Sequence, residues 1–251
     1  MRIGHLYPDL LNLYGDRGNV IALVQRLKWR HLPVEVAEVA LGQDADFEEF
    51  DVLFLGGGSD REQDIMAADL KSRRDGLGRA IEAGVVVLAI CGGYQMLGHF
   101  YRTAGGREIP GLSLLDLHTV AGPRRMIGNV ALELELPGGV AWAVGFENHS
   151  GRTFLGRGVR PLGRVVAGNG NNGSDGWEGA RYRNVFCSYL HGPLLPKNPL
   201  LADHLLQLAL ARRGEGQTLS PLDDGLENLA NRVMYERVTR AGTRKGPSGR
   251  R

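Results

Sequence analysis

One stretch constrains this chain more than any other: residues 85–95 read V-V-V-L-A-I-C-G-G-Y-Q. A short run of Val, Leu and Ile, too brief to span a bilayer, predicts a buried strand of a parallel sheet. The run ends at Cys91, followed by two glycines and an apolar helical segment from Tyr94 to Tyr101. Strand, sharp glycine turn and helix form a nucleophile elbow, in which the backbone folds back and lifts the reactive atom out of the sheet. Ala89, Gly92 and Gly93 supply the small neighbours such a turn needs. A cysteine there also stands at a helix N-terminus, whose partial positive charge favours the thiolate. The same letters also describe a buried strand-end cysteine before an ordinary glycine turn, so the flanking sequence has to decide.

Those flanks alternate between strand and helix. Strands are expected at Arg2 to Tyr7, Val34 to Leu41 and Asp51 to Leu55, and helices at Gly18 to Arg30 and Glu62 to Ala83. This rhythm predicts an α/β fold, a mostly parallel central sheet flanked by helices. Beyond about residue 105, short alternating segments such as Gly128 to Leu136 and Val140 to Phe146 are separated by Gly, Pro and Asn, which predicts an antiparallel extension of hairpins. Asn184 to Leu190 reads as another core strand, Pro199 to Arg212 as a helix, and Asp223 to Arg240 as a charged final helix. The expected organisation is a domain over 1–213, a helical extension over 214–240 and a disordered basic tail over 241–251.

With 23% charged residues and a net charge of +2, the composition is that of an ordinary soluble globular chain. The acid-free tail Arg240 to Arg251 is expected to be a solvated end, with no nucleic-acid partner. No signal peptide is expected, and no run approaches the roughly 18 apolar residues of a transmembrane helix. A leaderless chain of this kind is expected in the cytoplasm, where Cys91 and Cys187 remain free thiols, Cys187 buried and inert in its strand. The remaining histidines, His5, His31, His99, His118 and His204, show no metal-site spacing, and no metal is expected.

Open α/β sheets place their sites at the carboxyl ends of strands. Cys91 falls there, and so does Gly56-Gly57-Gly58 directly after D-V-L-F-L. A loop without side chains can aim backbone N–H groups at an oxyanion, here Gly57 together with Gly92. A phosphate loop is the competing reading, but the chain lacks both G-x-x-x-x-G-K-[ST] and G-x-G-x-x-G. His191, in Y-L-H-G-P, follows the strand ending at Leu190 and is expected in the same sheet as Cys91, as its base.

The glycine loop, the elbow and His191 occur in the order of the class I glutamine amidotransferases, which the chain resembles. L-N-L-Y-G-D-R-G-N (11–19), G-G-G-S-D-R-E-Q (56–63), C-G-G-Y-Q (91–95), G-F-E-N-H-S-G-R-T (145–153) and Y-L-H-G-P-L-L-P-K-N-P (189–199) narrow the likeness. They are similar to the cobyric-acid-synthase-like branch and, within it, to the GatD-type glutaminase subunits of lipid II isoglutaminyl synthase. The resemblance runs from the N-terminus to about residue 213. It implies a glutaminase without a cofactor of its own, which delivers ammonia to a MurT-like Mur ligase partner in a heterodimer. That partner would use ATP and Mg to activate the D-glutamate α-carboxyl of lipid II, which ammonia converts to D-isoglutamine.

Glutamine brings an α-carboxylate, which calls for a cation. Arg124 and Arg125 are both available, and an arginine forks onto a carboxylate with two hydrogen bonds. The resemblance points to Arg125; Gly58 and Gln95 complete the expected substrate contacts. One departure stands out. Most class I amidotransferases carry an acid two residues after the histidine, but here that position is Pro193. The resemblance implies an acid donated across the partner interface, with Glu147 of this chain as the rival. Asp16 reads as a helix cap.

Overall fold

The structure is a computed structural model describing residues 1–214 and 218–243. In chain order its elements are β1 (Arg2–Leu6), α1 (Arg17–Trp29), β2 (Glu35–Val39), β3 (Val52–Leu55), α2 (Asp60–Ser72), α3 (Arg74–Glu82), β4 (Val86–Ile90) and α4 (Gly92–Leu97). There follow β5 (Phe100–Arg102), β6 (Glu108–Pro110), β7 (Leu117–Leu136), β8 (Gly139–Leu155), β9 (Gly163–Ala167) and β10 (Trp177–Glu178). The chain closes with β11 (Ala180–Tyr182), β12 (Val185–Ser188), β13 (Leu190–His191), α5 (Pro199–Arg212) and α6 (Gly225–Thr243).

Two sheets divide these strands. The first has the order β11-β12-β4-β3-β1-β2. Its pairings are parallel except at β11, which turns back antiparallel onto β12. Every residue of β3, β4 and β12 is buried, as expected of apolar runs covered on both faces. The second sheet is dominated by β7 and β8, an antiparallel pair far longer than the short hairpins expected. Its register slips between Ala121 and Met126, where Pro123 has no N–H to give the ladder.

Three further expectations change. The single helix over 62–83 is two, α2 and α3, meeting at Arg73, whose guanidinium is tied to Asp69 at 2.7 Å and to the Ala40 carbonyl at 2.9 Å. The strand over 184–190 is also two. β12 belongs to the first sheet, and after Tyr189 the chain crosses to the second, where β13 pairs with β8. His191 therefore does not share the sheet of Cys91. The last helix runs to Thr243, three residues into the span expected as tail; residues 244–251 lie outside the described residues.

The residues before α6 are bound to the domain by charge. Arg26 on α1, 4% exposed, donates to Asp203 at 2.6 and 2.7 Å and to Asp224 at 2.7 Å through two nitrogens. Such bidentate pairs are strong only while complete: removing the cation takes the guanidinium from Asp224, while Asp203 keeps Arg30 at 2.6 Å. Arg26→Ala is expected to cost about 3 kcal/mol, read from the urea-unfolding midpoint.

Candidate active site

Four segments leave the carboxyl ends of four neighbouring strands and converge. β12, β4, β3 and β1 lie side by side in that order, and ligands of open α/β sheets bind just beyond such ends. After β4 comes Cys91, with φ 50° and ψ −102°, a left-handed setting that costs a non-glycine residue about 1–3 kcal/mol. The turn is held at both sides. Cys91 N–H donates to the Ser188 carbonyl at 2.9 Å, and the Cys91 carbonyl accepts from Gln95 N–H at 3.0 Å. The expected elbow is present, with Cys91 lining a cleft of about 540 Å³.

The loop after β3 shows why it must be glycine. A Cβ on Gly57 would stand 2.9 Å from His191 Cε1, 3.0 Å from Asp16 Oδ2 and 3.3 Å from Cys91 Cβ. Those three side chains therefore close around one point. His191 Nδ1 lies 3.1 Å from Asp16 Oδ1, and both side chains are fully buried. The other carboxylate oxygen of Asp16 accepts Gly57 N–H at 2.8 Å. His191 Nε2 is buried without a partner among the described residues. Burial disfavours the imidazolium, but the bond to Asp16 and the nearby Cys91 sulfur outweigh it and raise His191 to about 10.

This geometry corrects two expectations. The acid that orients His191 is Asp16 of this chain, which makes no side-chain cap bond to α1. Glu147 is turned to Asn169 and Gly170, accepting at 2.9, 2.5 and 3.0 Å, and Nδ1 has Asp16 beside it in this chain. The second correction is Gly57, whose N–H is engaged by Asp16 and is not free for an oxyanion. Gly58 and Gly92 are the glycines left for that role: their backbones run close, since a Cβ on Gly92 would lie 2.9 Å from Gly58 N. Gly92 opens α4, where helix N–H groups have no intrahelical acceptor.

The substrate-binding expectations are brought together in the cleft, which Gly58, Gln95 and Arg125 all line. Arg125 reaches it from the irregular stretch of β7. Its Nε donates to Asn148 Oδ1 at 3.0 Å and one Nη to the Asn148 carbonyl at 2.9 Å. Gln95 is wall rather than free amide: Oε1 accepts from Gln63 at 3.0 Å and Nε2 donates to Tyr189 at 3.1 Å. Behind the wall, Glu178 accepts from Tyr189 N–H at 2.6 Å, bracing the crossover that delivers His191; burial pushes its carboxyl up to about 8. Cys187 is fully buried, and burial raises its thiol well above the usual range.

Residues 2–199 match the CobB/CobQ-like glutamine amidotransferase domain. The GatD subunit of the glutamine-hydrolyzing lipid II isoglutaminyl synthase of Staphylococcus aureus is 43% identical over 240 residues, 96% of this chain and 97% of that one. Cobyric acid synthase of Pelotomaculum thermopropionicum is 34% identical over 181 residues, 66% of this chain but 34% of that protein. Among solved structures, the glutaminase domain of Trypanosoma brucei CTPS with bound acivicin superposes with a TM-score of 0.53 at 12% identity, covering 88% of this chain and 96% of that one, a likeness of fold. A family match that passes through every loop of the cleft, with identity of this extent along nearly all of the chain, leads to one conclusion: the chain belongs to the CobB/CobQ-like glutamine amidotransferases.

Proposed function

We propose that this chain is the glutaminase subunit of a lipid II amidating complex. The observation that carries the chemistry is the buried His191, with Nδ1 on Asp16 and Nε2 unpartnered beside the Cys91 elbow. Nε2 holds the proton of the Cys91 thiol, since His191 is raised to about 10, and the resulting thiolate attacks the side-chain carbonyl carbon of glutamine. The Gly58 and Gly92 N–H groups hold the developing oxyanion, each donor contributing about 3 kcal/mol. His191 returns the proton to the amide nitrogen, which leaves as ammonia. Water then opens the thioester, releasing glutamate and the thiol. Arg125 takes the α-carboxylate of the substrate.

The acceptor is read from the extent of likeness. Alignment with the GatD subunit covers both chains nearly end to end, whereas that with cobyric acid synthase covers a third of the larger protein. The partner is then a MurT-type ligase subunit holding ATP and Mg, and the site of action is the cytoplasmic face, where lipid II is made. No helix among the described residues is long and apolar enough to cross a membrane.

The test is transfer of amide-labelled nitrogen from glutamine to lipid II in a complex with a Mur-ligase-type subunit, followed by mass spectrometry. Label in the D-glutamate unit, absent with Cys91→Ala, is the expected outcome; glutamine hydrolysis without transfer would move the acceptor elsewhere. Because its acid is its own, the isolated chain is expected to release glutamate within about tenfold of the rate in the complex, since a complete triad needs no partner to orient its base.

A further inference from the structure

Tyr14 is built into the cleft at some conformational cost. It lies between β1 and α1 with φ 56° and ψ 26°, inside an otherwise helical turn, a setting that non-glycine residues seldom adopt. Its ring stands edge-on to His191, centroids 4.9 Å apart at 71°, and edge-on to Phe146 at 6.5 Å. Phe146 is the residue opposite His191 in the β8–β13 ladder. Tyr14 thus lies between the imidazole and solvent: it lines the cleft and is 43% exposed, while His191 is fully buried.

The other end of Tyr14 is tied to the cation. Its phenol oxygen accepts from Asn148 Nδ2 at 2.6 Å. The same amide gives Oδ1 to Arg125 Nε, and the Asn148 carbonyl takes an Arg125 Nη. An asparagine side chain has one accepting and one donating end, so its orientation is set by its neighbours. With Oδ1 on an arginine that only donates, Nδ2 must face Tyr14; with the phenol accepting there, Oδ1 is held on Arg125. The guanidinium is thereby fixed on two nitrogens, leaving Nη1 and the remaining Nη2 proton for an anion in the cleft.

We propose that Tyr14 is a positioning residue with two parts: its ring steadies His191, and its hydroxyl, through Asn148, presets Arg125 for the α-carboxylate of the substrate. This rests on the glutaminase reading and adds the device that joins carboxylate recognition to the proton-transfer end of the site.

Two alkylating reagents separate the parts, with Cys91 labelling followed by mass spectrometry in the full chain. Iodoacetamide carries no carboxylate and reports the thiolate alone; the chloromethyl ketone analogue of glutamine carries the α-carboxylate. Tyr14→Phe keeps the ring and loses the hydroxyl. It is expected to slow the chloroketone about tenfold and to leave iodoacetamide within about twofold, with Asn148→Ala giving the same loss and the double variant no further loss, as for residues acting as one unit. Tyr14→Ala is expected in addition to shift the pH profile of iodoacetamide labelling. Equal slowing of both reagents by Tyr14→Phe, additive losses in the double variant, or no change at all would each overturn the proposal. A wild-type protein that shows no preference for the chloroketone would overturn the glutaminase reading itself.

Discussion

Asp16→Asn is expected to lower kcat for glutamine hydrolysis by about 10³–10⁴, the size of effect seen when a triad acid is made neutral but kept in shape. The two bonds of Asp16 decide the direction. One oxygen accepts Gly57 N–H, and the other faces His191 Nδ1. An asparagine has a single oxygen, and the fixed backbone donor of Gly57 claims it. Its NH₂ then points at Nδ1, which must become the accepting nitrogen, and the ring proton moves to Nε2. That tautomer cannot take a proton from Cys91. The loss should lie in kcat with KM little changed, because Arg125 and the cleft wall are untouched. A second readout is pH. His191 is raised to about 10 partly by Asp16, so its proton is present below that value and lost as pH rises through it. The alkaline limb of kcat/KM in the wild-type chain is expected near 10, and in Asp16→Asn it should move down toward the ordinary histidine value of about 6.5. Retention of activity within tenfold would remove Asp16 from the triad.

The position of that acid explains what the sequence could and could not convey. The elbow was readable because its three parts are contiguous: an apolar run, a nucleophile and glycines whose necessity is local. A Cβ on Gly93 would meet Leu55 Cβ at 2.8 Å and the Gly56 carbonyl at 2.9 Å, so the pair of glycines in the motif follows from close approach to the neighbouring loop. The alternation of elements likewise carried the parallel sheet, because strands buried on both faces are written as unbroken Val, Leu and Ile. Asp16 was hidden by distance. It meets a histidine 175 residues away, and an acid just before a helix has an ordinary local explanation as a cap. One signal was present: the turn containing Asp16 follows β1, beside β3 in the sheet, so its loop had to reach the same end as Gly57. Pro193, two residues after His191, completes the account. It packs against Gly18, on which a Cβ would fall 2.4 Å from the proline ring. That contact brings the start of α1 against the loop after His191 and lays Asp16 beside the imidazole. The sheet change at Tyr189 was unreadable for another reason: β12 and β13 are contiguous apolar sequence, and their different partners are set by the length of β8, which the glycines within it concealed.

Gly57→Ala is expected to reduce kcat/KM by at least about 10² while leaving the protein folded, since displacement of reacting groups by about an ångström can already cost about 10². Most glycine-to-alanine changes act through backbone freedom, but Gly57 has no positive φ, and the added methyl acts by volume alone. The three atoms it would meet belong to His191, Asp16 and Cys91, at 2.9, 3.0 and 3.3 Å. None can yield easily. His191 is anchored at Nδ1 and covered by Tyr14, Asp16 is held by Gly57 itself, and Cys91 sits on a strained turn pinned to Ser188. The methyl must therefore part the imidazole from either its acid or its thiol, and both separations stop proton transfer. Gly15→Ala in the neighbouring turn is the control. A Cβ there meets nothing within 4 Å, but φ is +77°, so this change strains the backbone by about 1 kcal/mol without entering the site. Gly15→Ala should lower the melting temperature and preserve most turnover; Gly57→Ala should lose turnover far beyond what its loss of stability accounts for. If the two variants lost activity in proportion to their loss of stability, the crowding of the triad around Gly57 would not be what requires glycine there.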